Sequence, residues 1–253
     1  MPFRPALSDI PAAIGLLTRL PVPVDGPSAE ARGAQGAWAY PLAGLCVGAL
    51  AGLAALIAAG FGLPPAMAAA LALCTQIAVT GALHEDGLAD VADGFWGGWD
   101  RARRLEIMKD SRIGAYGVLA LVASFALRWS ALASLCAAGN PFWALLALGA
   151  LSRVPMVLLM AFMGNARGGG LSARVGRPPA QAAWLALGCG LLAALLFTGV
   201  GASLALLFWG GLACAGVAAV AKAKIGGQTG DVLGTCQQVA EITGLMVLVA
   251  LLV

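Results

Sequence analysis

Charge is scarce in this sequence. Only 11% of its 253 residues are Asp, Glu, Lys or Arg while 60% are hydrophobic, and the mean hydropathy is +0.89. Soluble domains carry about 25% charged residues, so a water-soluble fold is excluded. Histidine is nearly absent as well. His84 stands alone, which rules out a metal centre built on several imidazoles. Cysteine pairs are missing: Cys46, Cys74, Cys136, Cys189, Cys214 and Cys236 show no CxxC or CxH spacing, and single cysteines in apolar runs behave as small buried hydrophobes. No secretory leader is recognisable, since Arg4, Asp9 and Arg19 interrupt any apolar stretch and Pro2, Pro5 and Pro11 break it further. The N-terminus is expected to stay on the mature protein.

What the chain does have is glycine, 35 of them, together with much Ala and Leu, a composition that lets membrane helices approach closely. A helix crosses roughly 30 Å of hydrocarbon with about 20 mostly apolar residues. Six runs qualify: Trp38 to Ala59, Leu63 to Leu83, Tyr116 to Ala138, Phe142 to Met163, Ala182 to Val200 and Leu204 to Ala221. A seventh, ending at Val253, spans only if it begins near Asp231 and carries Gln237, Gln238 and Glu241 inward, where they must face protein or water rather than lipid. The expected fold class is therefore all-α, a polytopic membrane helix bundle of about seven transmembrane helices. It reads as a single membrane domain over residues 1–253, with residues 1–35 as an interfacial N-terminal segment, because Ile10 to Val24 is too short and too proline-marked to span.

The connections alternate in character. Short neutral turns fall around Gly60 to Gly62, Gly139 to Pro141 and Gly199 to Gly201, and long polar loops at His84 to Ala115, Gly164 to Gln181 and Lys222 to Gly230. Thirteen of the 15 Lys and Arg lie in the N-terminal segment and the long loops, none in the short turns, and the other two are Arg128 and Arg153 inside spans. The positive-inside rule then sets the N-terminus, the long loops and the polar site on the cytoplasmic face. Each intramembrane arginine should have a carboxylate, phosphate or carbonyl partner, whether as a structural ion pair or as a substrate contact.

The richest chemistry lies between His84 and Gly94. If the second membrane helix continues through it, Asp86, Asp90 and Asp93 fall at i, i+4 and i+7 on one face. Three stacked carboxylates repel unless cations neutralise them, and hard oxygen ligands at this spacing suit Mg²⁺ shared with a diphosphate. A solvated acidic loop with helix caps is the plainer alternative. Arg101, Arg103 and Arg104 follow, serving either phosphate binding or the topology rule. Lys109, Ser111 and Arg112 then precede a glycine-marked helix start that could itself hold a phosphate. Two further loops meet the same face, one with Arg167, the other running from Gly226 through Gln228 to Asp231 and on to Gln237, Gln238 and Glu241. Glycines there permit an anion-binding nest, and Asp231 could serve as ligand or base.

These stretches resemble, almost from end to end, the cobalamin synthase family of adenosylcobinamide-GDP ribazoletransferases. The resemblance is carried by Leu17-Thr18-Arg19-Leu20-Pro21, Tyr40-Pro41-Leu42-Ala43-Gly44, His84 through Gly94, Glu106 through Gly117 and Gly226 through Glu241. It implies a bacterial inner-membrane phosphotransferase that joins adenosylcobinamide-GDP to α-ribazole or its 5′-phosphate, with cobalamin or its phosphate and GMP as products. In that frame Asp86, Asp90 and Asp93 hold Mg²⁺, and Lys109 offsets phosphate charge with Arg112. Asp93 or Asp231 takes the hydroxyl proton, and Glu85, Ser111, Arg112, Arg167, Gln228, Gln238 and Glu241 are the substrate-binding set. The lipid bilayer, a homo-oligomer and neighbouring corrinoid-assembly enzymes are the partners compatible with this reading, and nucleic acid is not among them. A CDP-alcohol phosphotransferase-like enzyme or an intramembrane prenyltransferase remains open on the aspartates, although the latter ordinarily shows two rich clusters. A transporter would place acids along a path rather than on one face.

Overall fold

In the computed structural model, residues 3–139 and 141–253 are described, so the expected turn at Gly139 to Pro141 includes one residue, 140, outside them. Twelve α-helices and one 3₁₀ segment succeed one another without any strand among the described residues. The N-terminal segment forms α1 (Asp9–Leu17) and α2 (Gly26–Arg32), then the 3₁₀ turn Gly33–Ala39. The long apolar helices are α3 (Tyr40–Gly60), α4 (Pro65–Thr80), α7 (Ala115–Ala137), α11 (Ala180–Ile225) and α12 (Gly230–Leu252), with α8 (Pro141–Leu151) and α9 (Val154–Phe162) forming one further apolar stretch. Between them lie α5 (Leu83–Gly97), α6 (Arg101–Ile107) and α10 (Leu171–Val175). Five helical stretches are long and apolar enough to cross a membrane, or six if the bent pair α4 and α5 counts as one. The protein is a multi-pass membrane protein.

The packing is inverted relative to a soluble domain. Alanine and glycine fill the interior, with Ala43, Ala51 and Ala55 of α3 and Ala144, Ala147 and Ala150 of α8 all buried, while Leu53, Ile57, Leu119, Val122, Leu196 and Phe208 face outward. Lipid solvates large aliphatic side chains as well as a protein core does, so association relies on close backbone approach. The α3–α8 contact is the clearest case: a Cβ on Gly44 would collide with the backbone carbonyl of Gly149. No rotamer relieves a clash with backbone, so Gly44→Ala should cost about 2 kcal/mol or more. Gly188→Ala in α11, where a Cβ meets nothing, should be neutral or mildly stabilising. Unfolding midpoints of the two variants in the same detergent check this, and equal midpoints would refute the close approach.

Three expectations change. The second membrane helix does not continue through the acidic run, because α4 ends at Gly81 and Ala82, with φ of +64° and +57°, and α5 restarts at an angle of 87°. The stretch His84 to Ala115 is not a loop but largely α5 and α6. The span Phe142 to Met163 is interrupted at Ser152 and Arg153, since Pro155 at the start of α9 cannot donate to the preceding turn. In the N-terminal segment Asp9 is buried and ties α1 to α2 and the 3₁₀ turn, accepting hydrogen bonds from the Arg32 guanidinium and, at 2.7 Å, from Trp38 Nε1.

Candidate active site

The acidic helix is positioned by its apolar side. Val91 and Phe95 of α5 are buried with Met108, Ile225 and Val232, which turns Asp86 and Asp90, one turn apart, away from that cluster. Gly87 makes the close approach to α12 possible, since a Cβ there would lie 2.8 Å from the carbonyl oxygen of Asp231. Asp86 and Asp90 thereby come near Asp231 from a distant part of the chain. Burial, then the charges of Asp231 and Asp86, push the Asp90 carboxyl up to about 7. Burial and neighbouring carboxylates both disfavour the charged form of an acid, so they act in the same direction here.

Asp86 and Asp231 line a cavity of about 140 Å³, together with Arg167, Ser172 and Thr229 at its polar end. Arg167 Nη2 lies 3.0 Å from Asp231 Oδ2, and the Thr229 hydroxyl donates to the same oxygen at 3.2 Å. Thr229 also caps α12 by accepting from Val232 N–H at 3.3 Å. The loops carrying these residues are tied to one another. Ala166 N–H donates to Gln228 O at 2.8 Å, Gln228 N–H to Gly164 O at 2.9 Å, and the Ser172 hydroxyl to Gln228 Oε1 at 2.9 Å. Arg101 adds a clamp from α6, donating to Ile225 O at 2.7 Å and Ala166 O at 2.9 Å.

Asp93 faces elsewhere. Its Oδ2 accepts from Gly114 N–H at 2.7 Å and its Oδ1 from Gly117 N–H at 2.9 Å, so it satisfies the first turn of α7. The helix start that the sequence offers to a phosphate is thus occupied by the protein's own carboxylate. Among the described residues no three acidic side chains converge closely enough to share an ion as they stand.

A profile of the cobalamin-5-phosphate synthase family matches residues 9–249. The chain belongs to that family. The adenosylcobinamide-GDP ribazoletransferase of Bradyrhizobium diazoefficiens is 46% identical over 98% of this chain and 95% of its own. That of Azorhizobium caulinodans is 48% identical over 95% and 94%, and that of Brucella ovis 42% identical over 96% of each. No solved structure matches the chain.

Apart from Asp93, the expected site residues fall into four groups. Asp86, Arg167 and Asp231 line the cavity, with Asp90 beside them. Lys109, Ser111 and Arg112 are exposed and do not line it, and Arg112 Nη2 instead lies 2.6 Å from Asp110 Oδ2. Gln228 is spent on the loop–loop ties that join Ala166, Gly164 and Ser172 to it. Glu85, Gln238 and Glu241 sit in a buried network around the two intramembrane arginines. Arg128 donates to Glu85 Oε1 at 2.8 Å, Gln238 Oε1 at 3.0 Å, Glu241 Oε1 at 3.1 Å and Gln76 Oε1 at 3.3 Å. Gln237 donates to Glu241 Oε2 at 2.6 Å, and Arg153 Nη1 lies 3.9 Å from that oxygen. Two cations and two carboxylates balance there, which is how buried charge persists in a membrane bundle. Ser172 and Thr229, absent from the residues expected on sequence grounds, shape the polar end of the cavity; hydroxyls in short polar loops carry no spacing signal that distinguishes them.

Proposed function

We propose that this chain joins adenosylcobinamide-GDP to α-ribazole, or to its 5′-phosphate, forming cobalamin or its phosphate and releasing GMP in the last step of nucleotide-loop assembly. Within the structure, the supporting observation is the cavity where Asp86, Asp231 and Arg167 meet beside Asp90. A diphosphate needs cationic neutralisation and an acceptor hydroxyl needs a proton acceptor, and these residues supply both chemistries.

The donor set fits Mg²⁺. Asp86 and Asp90 offer hard oxygens one helical turn apart, and Asp90, half-buried with Asp231 and Asp86 nearby, is in a crowded acidic setting that a divalent cation would relieve. Asp86 and Asp90 would hold the ion. When bound, Mg²⁺ would neutralise charge developing on the transferring and leaving phosphates. Asp231, whose orientation is fixed by Thr229 and Arg167, takes the proton of the ribose hydroxyl. That oxygen attacks the phosphorus on the corrinoid side of the diphosphate, the bond to the bridging oxygen breaks, and GMP departs with the electron pair. Arg167 faces the anionic phosphates. The same carboxylate count that crowds the site leaves coordination positions for phosphate oxygens and water.

The bundle is read as seven spans. A continuous helix of 46 residues would be about 69 Å long, more than twice the hydrocarbon thickness, and α11 leaves helical geometry at Gly199, with φ +77° and ψ 174°. Counting its halves separately, with α3, α4, α7, α8–α9 and α12, gives seven. The absence of Lys and Arg from the short turns supports a cavity on the cytoplasmic face of the bacterial inner membrane.

Protein reconstituted in liposomes with adenosylcobinamide-GDP and α-ribazole should release GMP and form corrinoid product in equal amounts, and chelating Mg²⁺ should stop both. Folded protein that releases no GMP with Mg²⁺ present would overturn the reading.

A further inference from the structure

The seam between α5 and α12 joins the two halves of the site. Asp86 and Asp90 belong to one helix and Asp231 to the other. α12 meets α5 through Asp231, Gly234, Thr235 and Gln238, the i, i+3, i+4 and i+7 positions of a single helix face. Glycine makes this seam smooth. A Cβ on Gly87 would fall 2.8 Å from the carbonyl oxygen of Asp231, and one on Gly234 would fall 3.3 Å from the Cα and the carbonyl oxygen of His84. Where backbones meet without side chains between them, no ridge seats in a groove to fix how far one helix slides along the other. Register then depends on hydrogen bonds that cross the seam.

Side chains of α12 supply such bonds. Gln238 Nε2 donates to Glu85 Oε1 at 3.0 Å, but Gln238 is also held by Arg128 and Ser124, so its loss would disturb the buried charge network. Thr235 stands apart from that network. Its hydroxyl lies 2.9 Å from Asp231 O and 3.1 Å from Gly87 O. The first contact is the ordinary bond of a helical threonine to the carbonyl four residues back. The second crosses to a residue 148 positions away in sequence. A hydroxyl carries one hydrogen, so that hydrogen is shared between the backbone carbonyl of Asp231 and the carbonyl of the residue that follows Asp86. Thr235 is 5% exposed, which keeps water from taking its place.

Resting on the proposed function, we infer that Thr235 is a positioning residue: by bridging these two carbonyls it fixes the register of α12 on the acidic helix, and with it the placement of the Asp231 carboxylate against Asp86 and Asp90. Thr235 acts through Asp231 and not on substrate. Misplacing a reacting group by about 1 Å can cost on the order of 100-fold in rate, so a small slide along a smooth seam is enough to matter. An internal control exists in α4, where the Thr75 hydroxyl donates at 2.8 Å to Leu71 O within its own helix.

The test uses full-length protein in nanodiscs and two readouts, the kcat and KM of GMP release and the binding of Mn²⁺ followed by EPR without substrates. Thr235→Val keeps side-chain volume and Thr235→Ala reduces it, so an effect common to both belongs to the hydroxyl. Both should lower kcat about tenfold, with donor and acceptor KM within about twofold. Both should weaken Mn²⁺ binding about threefold, because the Asp231 charge beside the ion moves. Thr235→Ser restores the hydroxyl and should restore both readouts, and Thr75→Val should match wild type. In an Asp231→Asn background, Thr235→Val should cost less than about twofold more, because the group it places is already gone. Additive losses in that double variant would overturn the positioning role and leave the transfer reaction standing, as would a Thr235→Val protein that matches Thr75→Val in both readouts. A lowered unfolding midpoint with unchanged kcat per folded molecule would make Thr235 merely structural and overturn the role as well. If folded wild type releases no GMP, the proposed reaction falls and Mn²⁺ binding decides. Weaker binding in Thr235→Val and Thr235→Ala, but not in Thr235→Ser, then upholds the role, and equal binding in all of them overturns it.

Discussion

Asp231→Asn should lower GMP release by roughly 10²–10⁴-fold, the usual loss when a positioned proton acceptor is removed, with little change in the unfolding midpoint. The amide is isosteric and its oxygen can still accept from Thr229, which now bonds the carboxylate at 3.2 Å, so the start of α12 keeps its cap. What the variant loses is basicity beside the acceptor hydroxyl. Asp93→Asn provides the contrast. Both Asp93 oxygens accept backbone N–H groups of α7, and an amide nitrogen cannot, so this variant should lose about 1–3 kcal/mol of stability and far less turnover per folded molecule. Initial rates normalised to folded protein separate the two. If Asp231→Asn stays within tenfold of wild type, the proton acceptor lies elsewhere.

Arg128→Met should be the most damaging substitution to the fold. The guanidinium is 2% exposed and bridges Glu85 on α5, Gln76 on α4, and Gln238 and Glu241 on α12. Its removal leaves carboxylates buried with one distant cation, Arg153, at 3.9 Å from Glu241. Breaking a buried pair from one side costs about 3–5 kcal/mol because the remaining charge is uncompensated. The double variant Arg128→Met with Glu241→Gln should recover part of that loss, since neutralising the orphan removes its penalty. Thermal or denaturant unfolding in one detergent measures the cycle. Strict additivity would show that the four charges do not act as a unit.

How much of this fold is legible in its sequence depends on what each pattern encodes. Apolar runs reported the helices because lipid tolerates little else, and Arg128 and Arg153 announced their partners because a lone guanidinium is untenable in hydrocarbon. Glu241, by contrast, enters the substrate-binding set through the family resemblance, and its pairing with those arginines is visible only in three dimensions. Asp93 shared a helical face with Asp86 and Asp90 on paper, yet the tilt of α5 brings it to the start of α7, a contact 21 residues away that no periodicity specifies. The break at Gly81 and Ala82 was equally hidden. Alanine rarely adopts positive φ, so the bend is imposed by tertiary packing rather than local preference. The pairing of Asp231 with the acidic helix depends on Gly87, whose missing side chain is a permission that sequence alone does not distinguish from a flexible joint.

The inverted packing of the bundle also governs how this sequence can drift. Where Gly44 meets Gly149, side-chain size has a hard ceiling set by backbone, whereas outward-facing Leu119 or Leu196 can be exchanged for another large aliphatic group at little cost. Substitutions should therefore accumulate around the circumference and stall along the seams, so that two such proteins can diverge over more than half their positions and still superpose helix for helix.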